Sequence, residues 1–264
     1  MLGNVFLKSL RDQRRALIGW ATGIVLLVGL MAGIWPSFRD MPDLNQFLAN
    51  YPEEIGRLFN IEAMTTAAGY LNVELFSMML PVLFIIFGIA RGARMIAGEE
   101  EAGTLEALLV TPVSPVRLLL QQAASLGASL AVLGVALFAA TMASSALFGM
   151  DLPVGEVAVA SLAMVLLGIE HGYLALAVGA ATGRRAVAIA VAAVVAVLGY
   201  VVHIVGQLVD SMRTWQPFSP FHQAIHGGPI GGGLVASYAW MALAAAVFVV
   251  AALPVFNRRD VAAR

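Results

Sequence analysis

The chain contains no cysteine, and among its 15 basic residues the only lysine is Lys8. The absence of cysteine excludes disulfides and thiolate metal sites. The shortage of lysine excludes an ATP site of the phosphate-binding-loop type, because that loop needs a lysine directly after its glycines and Lys8 follows a leucine. Any ATP-driven activity would therefore need a partner chain.

Charge is scarce throughout the sequence. Only 12% of the 264 residues are charged, 60% are hydrophobic, and the formal net charge is −1. This composition is atypical of a soluble globular domain and typical of a membrane protein. No block of basic residues resembles a nucleic-acid patch, so we expect no nucleic-acid partner. Residues 1–264 are expected to form a single transmembrane domain.

Six apolar runs are each long enough, at roughly 20 residues, to cross a bilayer as a helix. Their continuous apolar character favours helices over the alternating strands of a barrel. The first run is too long for a signal-peptide core and has no small-residue cleavage site, so it is interpreted as an uncleaved span. The predicted spans of this all-α integral membrane protein are 16–35, 70–90, 117–148, 157–181, 186–206 and 234–255.

The basic residues predict the orientation of these spans. Twelve of them fall on one side, namely Lys8, Arg11, Arg14, Arg15, Arg91, Arg94, Arg117, Arg184, Arg185, Arg258, Arg259 and Arg264. Only Arg39, Arg57 and Arg213 fall on the other side. Because basic residues concentrate in cytoplasmic connections, both termini are expected to be cytoplasmic.

Residues outside the spans also carry patterns. Apolar residues in 1–15 recur at helical spacing among basic ones, which predicts an amphipathic helix in the membrane interface. A second amphipathic pattern at 44–51 predicts a short external helix. The glycine-rich run 227–233 is interpreted as a flexible entry into the last span. Within the fourth span, Gly168 and Gly172 have the small-xxx-small spacing that favours close helix packing.

A polar island at 98–115 separates the second and third spans. Gly103 is suited to end a helix in a left-handed conformation, and Ser114 followed by Pro115 is suited to begin one. Between them, a stripe of leucines from Leu105 to Leu109, stopped by Pro112, predicts a short amphipathic helix preceded by an acidic cluster. The alternative is a solvated loop whose glutamates merely keep it out of the bilayer.

The run from Glu101 to Leu109, followed by Thr111 to Ser114, resembles the cytoplasmic motif of type-2 ATP-binding-cassette (ABC-2) transporter permeases. In that family the motif also lies between spans two and three, and the N-terminal amphipathic segment and the chain end are similar too. This sequence departs from the family at Glu100 and Pro115, where family members often carry basic residues. The residues that the resemblance assigns to ATPase coupling are Glu99, Glu100, Glu101, Gly103, Thr104, Leu105, Glu106, Leu108, Leu109, Thr111, Pro112, Val113 and Ser114.

The resemblance implies a permease subunit in a prokaryotic cytoplasmic membrane, in contact with membrane lipid. It implies two copies of a separate cytoplasmic ABC ATPase, which would hold the ATP and Mg, and no cofactor on this chain. A second permease copy, identical or a close paralogue, would complete a dimer, with spans one, two and five at the seam. The short helix of the motif would dock on the ATPase as a coupling helix.

Several polar residues fall inside the spans, where a central charge costs on the order of 3 kcal/mol or more. The candidates for a substrate path are Glu74, Met78, Glu170, His171 and His203. The alternative for Glu74, close to the outer end of its span, is that it snorkels to water, and the alternative for Met78 is core or lipid contact. The alternative for Glu170 and His171 is a structural hydrogen-bonding role, and the alternative for His203 is that of a satisfied interior histidine. His222 and His226 have i, i+4 spacing, but no glutamate accompanies them and glycines follow at once, so no metal site is expected.

Two functions from different classes follow from these features. The first is an ATP-driven exporter of a hydrophobic or amphipathic compound such as a drug, an antibiotic or a lipid. The second is a proton-coupled secondary transporter that uses Glu74, Glu170 and His171 as a relay and needs no ATPase. An intramembrane hydrolase is disfavoured because no nucleophile–base or metal constellation is recognisable.

Overall fold

The computed structural model describes residues 5–41, 61–104 and 114–259, and all regular structure within them is helical. Six of the described helices are long and apolar enough to cross a membrane. These six are α1 (Val5–Arg39), α2 (Ala67–Glu101), α3 (Pro115–Phe148), α4 (Val154–Thr182), α5 (Arg185–Leu208) and α7 (Ser237–Arg258). A short helix that does not span, α6 (Pro220–Ile225), lies between α5 and α7. The prediction of an all-helical protein with six spanning helices is confirmed. The helix predicted at 44–51 lies outside the described residues.

The first helix is longer than its predicted span. Residues 1–15 and 16–35 were expected to form separate helices, but α1 runs from Val5 to Arg39 without a break at residue 15. No proline occurs in α1 before Pro36, so nothing stops the helix between the two segments. Gln13 is buried and its side-chain amide donates to Ser125 Oγ (3.1 Å) and Ser129 Oγ (2.7 Å) of α3. Polar contacts of this kind hold membrane helices together.

The second helix is irregular near its start. A wide turn spans Asn72–Phe76, and Met78 departs from helical geometry with φ −144°. Pro81 explains the distortion, because it has no N–H to donate to the carbonyl one turn earlier, at Ser77. Asn72 fastens this turn to the loop before α7: its amide donates to Ile230 O (2.8 Å) and accepts from Ile230 N (3.0 Å).

The centre of the bundle is a backbone contact between α2 and α4. A Cβ atom added to Gly88 would overlap with the carbonyl oxygen of Gly168, and one added to Gly92 would overlap with that of Gly172. Each helix therefore contributes two glycines four residues apart, and the pairs face each other. Small residues at such a crossing let the backbones touch, which strengthens dispersion contacts where lipid supplies no hydrophobic drive.

The chain after α5 folds back against that helix instead of leaving the bundle. The 3-10 helix Asp210–Phe218 follows α5, and Gln216 Nε2 donates to His203 O (3.0 Å). Ser219 Oγ then donates to Gly199 O (2.7 Å) and caps α6 by accepting from His222 N. Positive φ angles recur in the glycine run that follows, which delays the start of α7 to Ser237 instead of residue 234. We call residues 209–228 the fold-back segment.

The glycine contact makes a prediction about stability. Gly88→Ala places a methyl group against the backbone of α4, which cannot move aside as a side chain would, and such overpacking costs on the order of 1–3 kcal/mol. We expect a clearly lower thermal unfolding midpoint for purified Gly88→Ala in detergent. Gly23→Ala in α1 is the matched control, because nothing lies within 4 Å of its added Cβ. Equal midpoints for the two variants would show that α2 and α4 do not meet at these glycines.

Candidate functional site

The predicted end of α2 is present in the structure. Gly103 has φ +68°, in the left-handed region that glycine tolerates best. Its N–H donates to Glu100 O (3.0 Å), and the next N–H, of Thr104, donates to Glu99 O (2.9 Å). This pair of hydrogen bonds closes the helix end in the manner of a Schellman motif. Thr104 Oγ1 also donates to Glu99 Oε2 (2.5 Å).

The predicted start of α3 is also present. Ser114 is the N-cap, with its hydroxyl accepting from Arg117 N (3.3 Å), and Pro115 occupies the first helical position. Residues 105–113 lie outside the described residues, so the short helix between the two caps stays a prediction. The candidate coupling residues in that interval are Leu105, Glu106, Leu108, Leu109, Thr111, Pro112 and Val113.

Charged groups connect the end of α2 to three other helices. The Glu100 carboxylate pairs with the Arg259 guanidinium, which also donates through Nη1 to Ala180 O of α4 (2.7 Å). Glu101 Oε1 accepts from Arg185 N at the start of α5 (2.8 Å). Arg259 directly follows α7. We call Glu100, Glu101, Arg185 and Arg259 the ionic cap, because together they join the ends of α2, α4, α5 and α7.

Two cavities lie on the far side of the bundle from the ionic cap. The larger has a volume of about 710 Å³ and is bounded by α2, α5 and the fold-back segment, with Asn72, His203 and Arg213 among its lining residues. The smaller, of about 540 Å³, lies between α4, α7 and the fold-back segment. Pro217, His222 and His226 line both cavities and form the partition between them.

Three imidazoles follow one another along this partition. The ring centroids of His203 and His222 are 5.7 Å apart, and those of His222 and His226 are 4.4 Å apart in a stacked pair. His222 belongs to α6, outside the long helices. Burial, reinforced by the neighbouring His226, lowers its pKa to about 4. The His222 ring is therefore neutral near pH 7.

Glu170 is the buried acid of the smaller cavity. Its side chain comes from the middle of α4, it is only 8% exposed, and it makes no hydrogen bond with any residue that the structure describes. Phe218, His222 and Trp240 line the same space. A carboxyl group without a partner is costly in an apolar interior, so this position is atypical of a purely structural residue.

The structure separates the other predicted path residues. His203 lines the larger cavity, whereas His171, Glu74 and Met78 line neither. His171 is buried, donates through Nδ1 to Leu167 O (2.9 Å) and meets the ring of Phe221 edge-on. Glu74 is half-buried in the irregular turn of α2, and Met78 is exposed.

Sequence reasoning missed most of the walls of these cavities. His222 and His226 were considered only as metal ligands, and Gln216, Phe218 and Trp240 were not considered. The signal available was the pair Ser219-Pro220, which has the same hydroxyl-then-proline form as Ser114-Pro115 and likewise begins a helix. Recognising it would have placed α6, although not its contact with α5.

Comparison with known proteins agrees with this architecture. A family model described as "ABC-2 family transporter protein" matches residues 3–261, nearly the whole chain. No curated protein matches the chain.

The ionic cap makes a prediction that a double-mutant cycle can test. The side chains of Arg259 and Glu100 are only 19% and 20% exposed. Removing either charge leaves the other poorly solvated, so we expect Glu100→Gln and Arg259→Gln each to lower stability by about 1–3 kcal/mol. The double variant should lose less than the sum, as measured by chemical unfolding.

Arg39→Gln is the control for this cycle. Arg39 also pairs with an acid, Asp40, but both side chains are well exposed. Solvent and salt screen such a pair, so the unfolding midpoint should not change. Strictly additive effects of Glu100→Gln and Arg259→Gln would contradict the pairing.

Proposed function

The chain belongs to the ABC-2 family of transporter proteins, and we propose that it is the permease subunit of an ATP-driven exporter for hydrophobic or amphipathic compounds. Family membership makes it a multi-pass membrane component of an ABC transporter. ATP would be hydrolysed in a separate ATPase, consistent with a sequence whose only lysine follows no phosphate-binding glycines.

The observation that carries the coupling part of the proposal is the ionic cap at the base of the segment between Thr104 and Ser114. This segment joins the end of α2 to the start of α3, and both junctions are closed by helix caps. A protein that pressed on the segment would displace Glu100 and Glu101. Their contacts with Arg259 and Arg185 would pass that displacement on to α4, α5 and α7.

The proposed orientation puts the ionic cap in the cytoplasm. Basic residues concentrate at this end: Arg184 and Arg185 lie at the start of α5, and Arg258 and Arg259 lie at the end of α7. By the positive-inside rule this end and both termini face the cytoplasm of a prokaryotic cell, where two ATPase copies would be available. ATPase docking at the segment 99–114 requires this orientation.

A second permease copy would complete the transport path. Large apolar side chains on α1 and α5 are exposed, including Leu26 and Leu30 on α1 and Val197 and Leu198 on α5. Such surfaces suit lipid or another copy of the bundle. We place the seam of a homodimer, or of a heterodimer with a close paralogue, on these helices together with α2, with lipid around the remainder.

The proton-coupled alternative has less support. It needs a relay from Glu74 to Glu170 and His171, but no hydrogen bond joins any two of these residues in the described parts of the chain. Glu74 and His171 also line neither cavity. The ATP-driven exporter is therefore the function that these observations favour.

The coupling proposal predicts that Glu106→Arg, or deletion of 104–111, leaves insertion and folding intact but uncouples ATP hydrolysis from transport. The reason is that both changes alter the expected ATPase contact while sparing the ionic cap. The measurement is substrate-stimulated ATPase activity and dye efflux in proteoliposomes containing the chain and the ATPase that copurifies with it. We expect stimulation to fall at least tenfold.

Asp210→Arg is the control, because it makes the same charge reversal at an exposed position on the other side of the bundle. It should leave stimulation close to that of the native protein. Undiminished stimulation by the Glu106→Arg and deletion variants would refute coupling through this segment. Failure of any ATPase to copurify with the native chain would refute the ATP-driven function itself.

A further inference from the structure

The smaller cavity combines an apolar interior with one buried acid. Glu170 lies 16 residues beyond the start of α4, or about 24 Å along the helix axis, which is far from either end of a spanning helix. Its Oε2 atom is fully buried and has no partner among the described residues. The cavity volume of about 540 Å³ falls within the range of small-molecule sites.

Among the described residues, the groups around Glu170 include two histidines but no permanently charged cation. The other lining residues are Pro217, Phe218, His222, Gln223, His226, Ser237, Trp240 and Ala244. None of them is lysine or arginine, and His222 is neutral near pH 7. Arg213, the arginine of the fold-back segment, lines the other cavity. The lining that the structure describes therefore includes no lysine or arginine that could pair with the Glu170 carboxyl group.

Aromatic surfaces complete the chemistry of the cavity. Trp240 and Phe218 line the cavity, and both residues are largely exposed, at 64% and 75%. They therefore connect the cavity wall with the outer surface of α7 and the fold-back segment. Aromatic faces attract cations, most strongly where water is excluded, and they also bind apolar groups. A carboxylate with aromatic rings beside it matches a cation that carries a hydrophobic body.

We propose that this cavity binds lipophilic organic cations, with Glu170 as the counter-charge and Trp240 and Phe218 as the apolar and cation–π contacts. The inference rests on the proposed export function, since it names the substrate class of that exporter. A cation with a hydrophobic body reaches the site from the lipid-facing side past Trp240. Once bound, it supplies the positive charge that the carboxylate lacks within the protein.

The test uses two probes of the same shape and opposite charge. Tetraphenylphosphonium is a lipophilic cation and tetraphenylborate is the corresponding anion. Equilibrium binding of radiolabelled tetraphenylphosphonium is measured on the full-length chain in detergent, without ATPase or ATP. Binding of tetraphenylborate is measured in separate samples, because the two ions precipitate together. We expect saturable binding of the cation and none of the anion.

Glu170→Gln removes the charge and keeps the shape, and it should raise the Kd for tetraphenylphosphonium at least tenfold. Glu170→Asp keeps the charge and should retain most of the affinity. Glu74→Gln is the matched control. It also neutralises an acid within a spanning helix, but Glu74 lines neither cavity. It should leave the Kd within about twofold of the native value.

Three outcomes would overturn the inference: an unchanged Kd in Glu170→Gln, an equal loss in Glu74→Gln, or saturable binding of tetraphenylborate with an affinity equal to that of the cation. The last comparison uses only the native chain, so it decides the matter even if a variant folds poorly. If substrates stimulate the ATPase but the chain does not bind the cation in preference to the anion, the export function stands and the cation site is rejected. If the chain binds the cation selectively but no substrate stimulates an ATPase, the cation site stands and the export function is rejected.

Discussion

The glycine-to-glycine contact between α2 and α4 determines how the other parts of the bundle are placed. Gly168 and Gly172 lie on one face of α4, against Gly88 and Gly92. At 100° per residue, Glu170 lies about 200° around the helix from Gly168. The contact that holds the bundle together therefore directs the intramembrane acid away from α2 and toward α7. Moving the glycines by one position would rotate Glu170 out of its cavity.

The same pair of helices is joined again at the ionic cap. There Glu100 of α2 reaches α4 through Arg259, which also donates to Ala180 O. Because α2 and α4 are held at the centre and at one end, a displacement of the segment 104–114 is expected to move them as one body. α4 forms one wall of the cavity that holds Glu170. A rigid α2–α4 pair is thus a physical route from the proposed ATPase contact to the proposed substrate site.

The sequence predicted those features that depend on local chemistry. Gly103 and Ser114 were assigned correctly as helix termini because a left-handed glycine and a capping hydroxyl each act within a few residues. The break at residue 15 was wrong because an amphipathic pattern shows which face is polar, not where a helix stops. The partners of Glu100 and Glu101 could not be predicted, since they lie 159 and 84 residues away in the chain. The fold-back of Ser219 onto Gly199 depends on the same kind of distant contact.

Glu100 and Glu170 show two ways in which this protein accommodates an acid. Glu100 lies where the chain end can bring it a guanidinium, so its charge is neutralised within the fold. Glu170 lies on the face of α4 opposite the glycine contact, and no lysine or arginine lines the described part of its cavity. An ionised side chain at that depth costs on the order of 3 kcal/mol on insertion scales. A carboxyl group in this position is suited to pair with a positive charge that arrives from outside the protein, because the cation removes the cost of ionising it there.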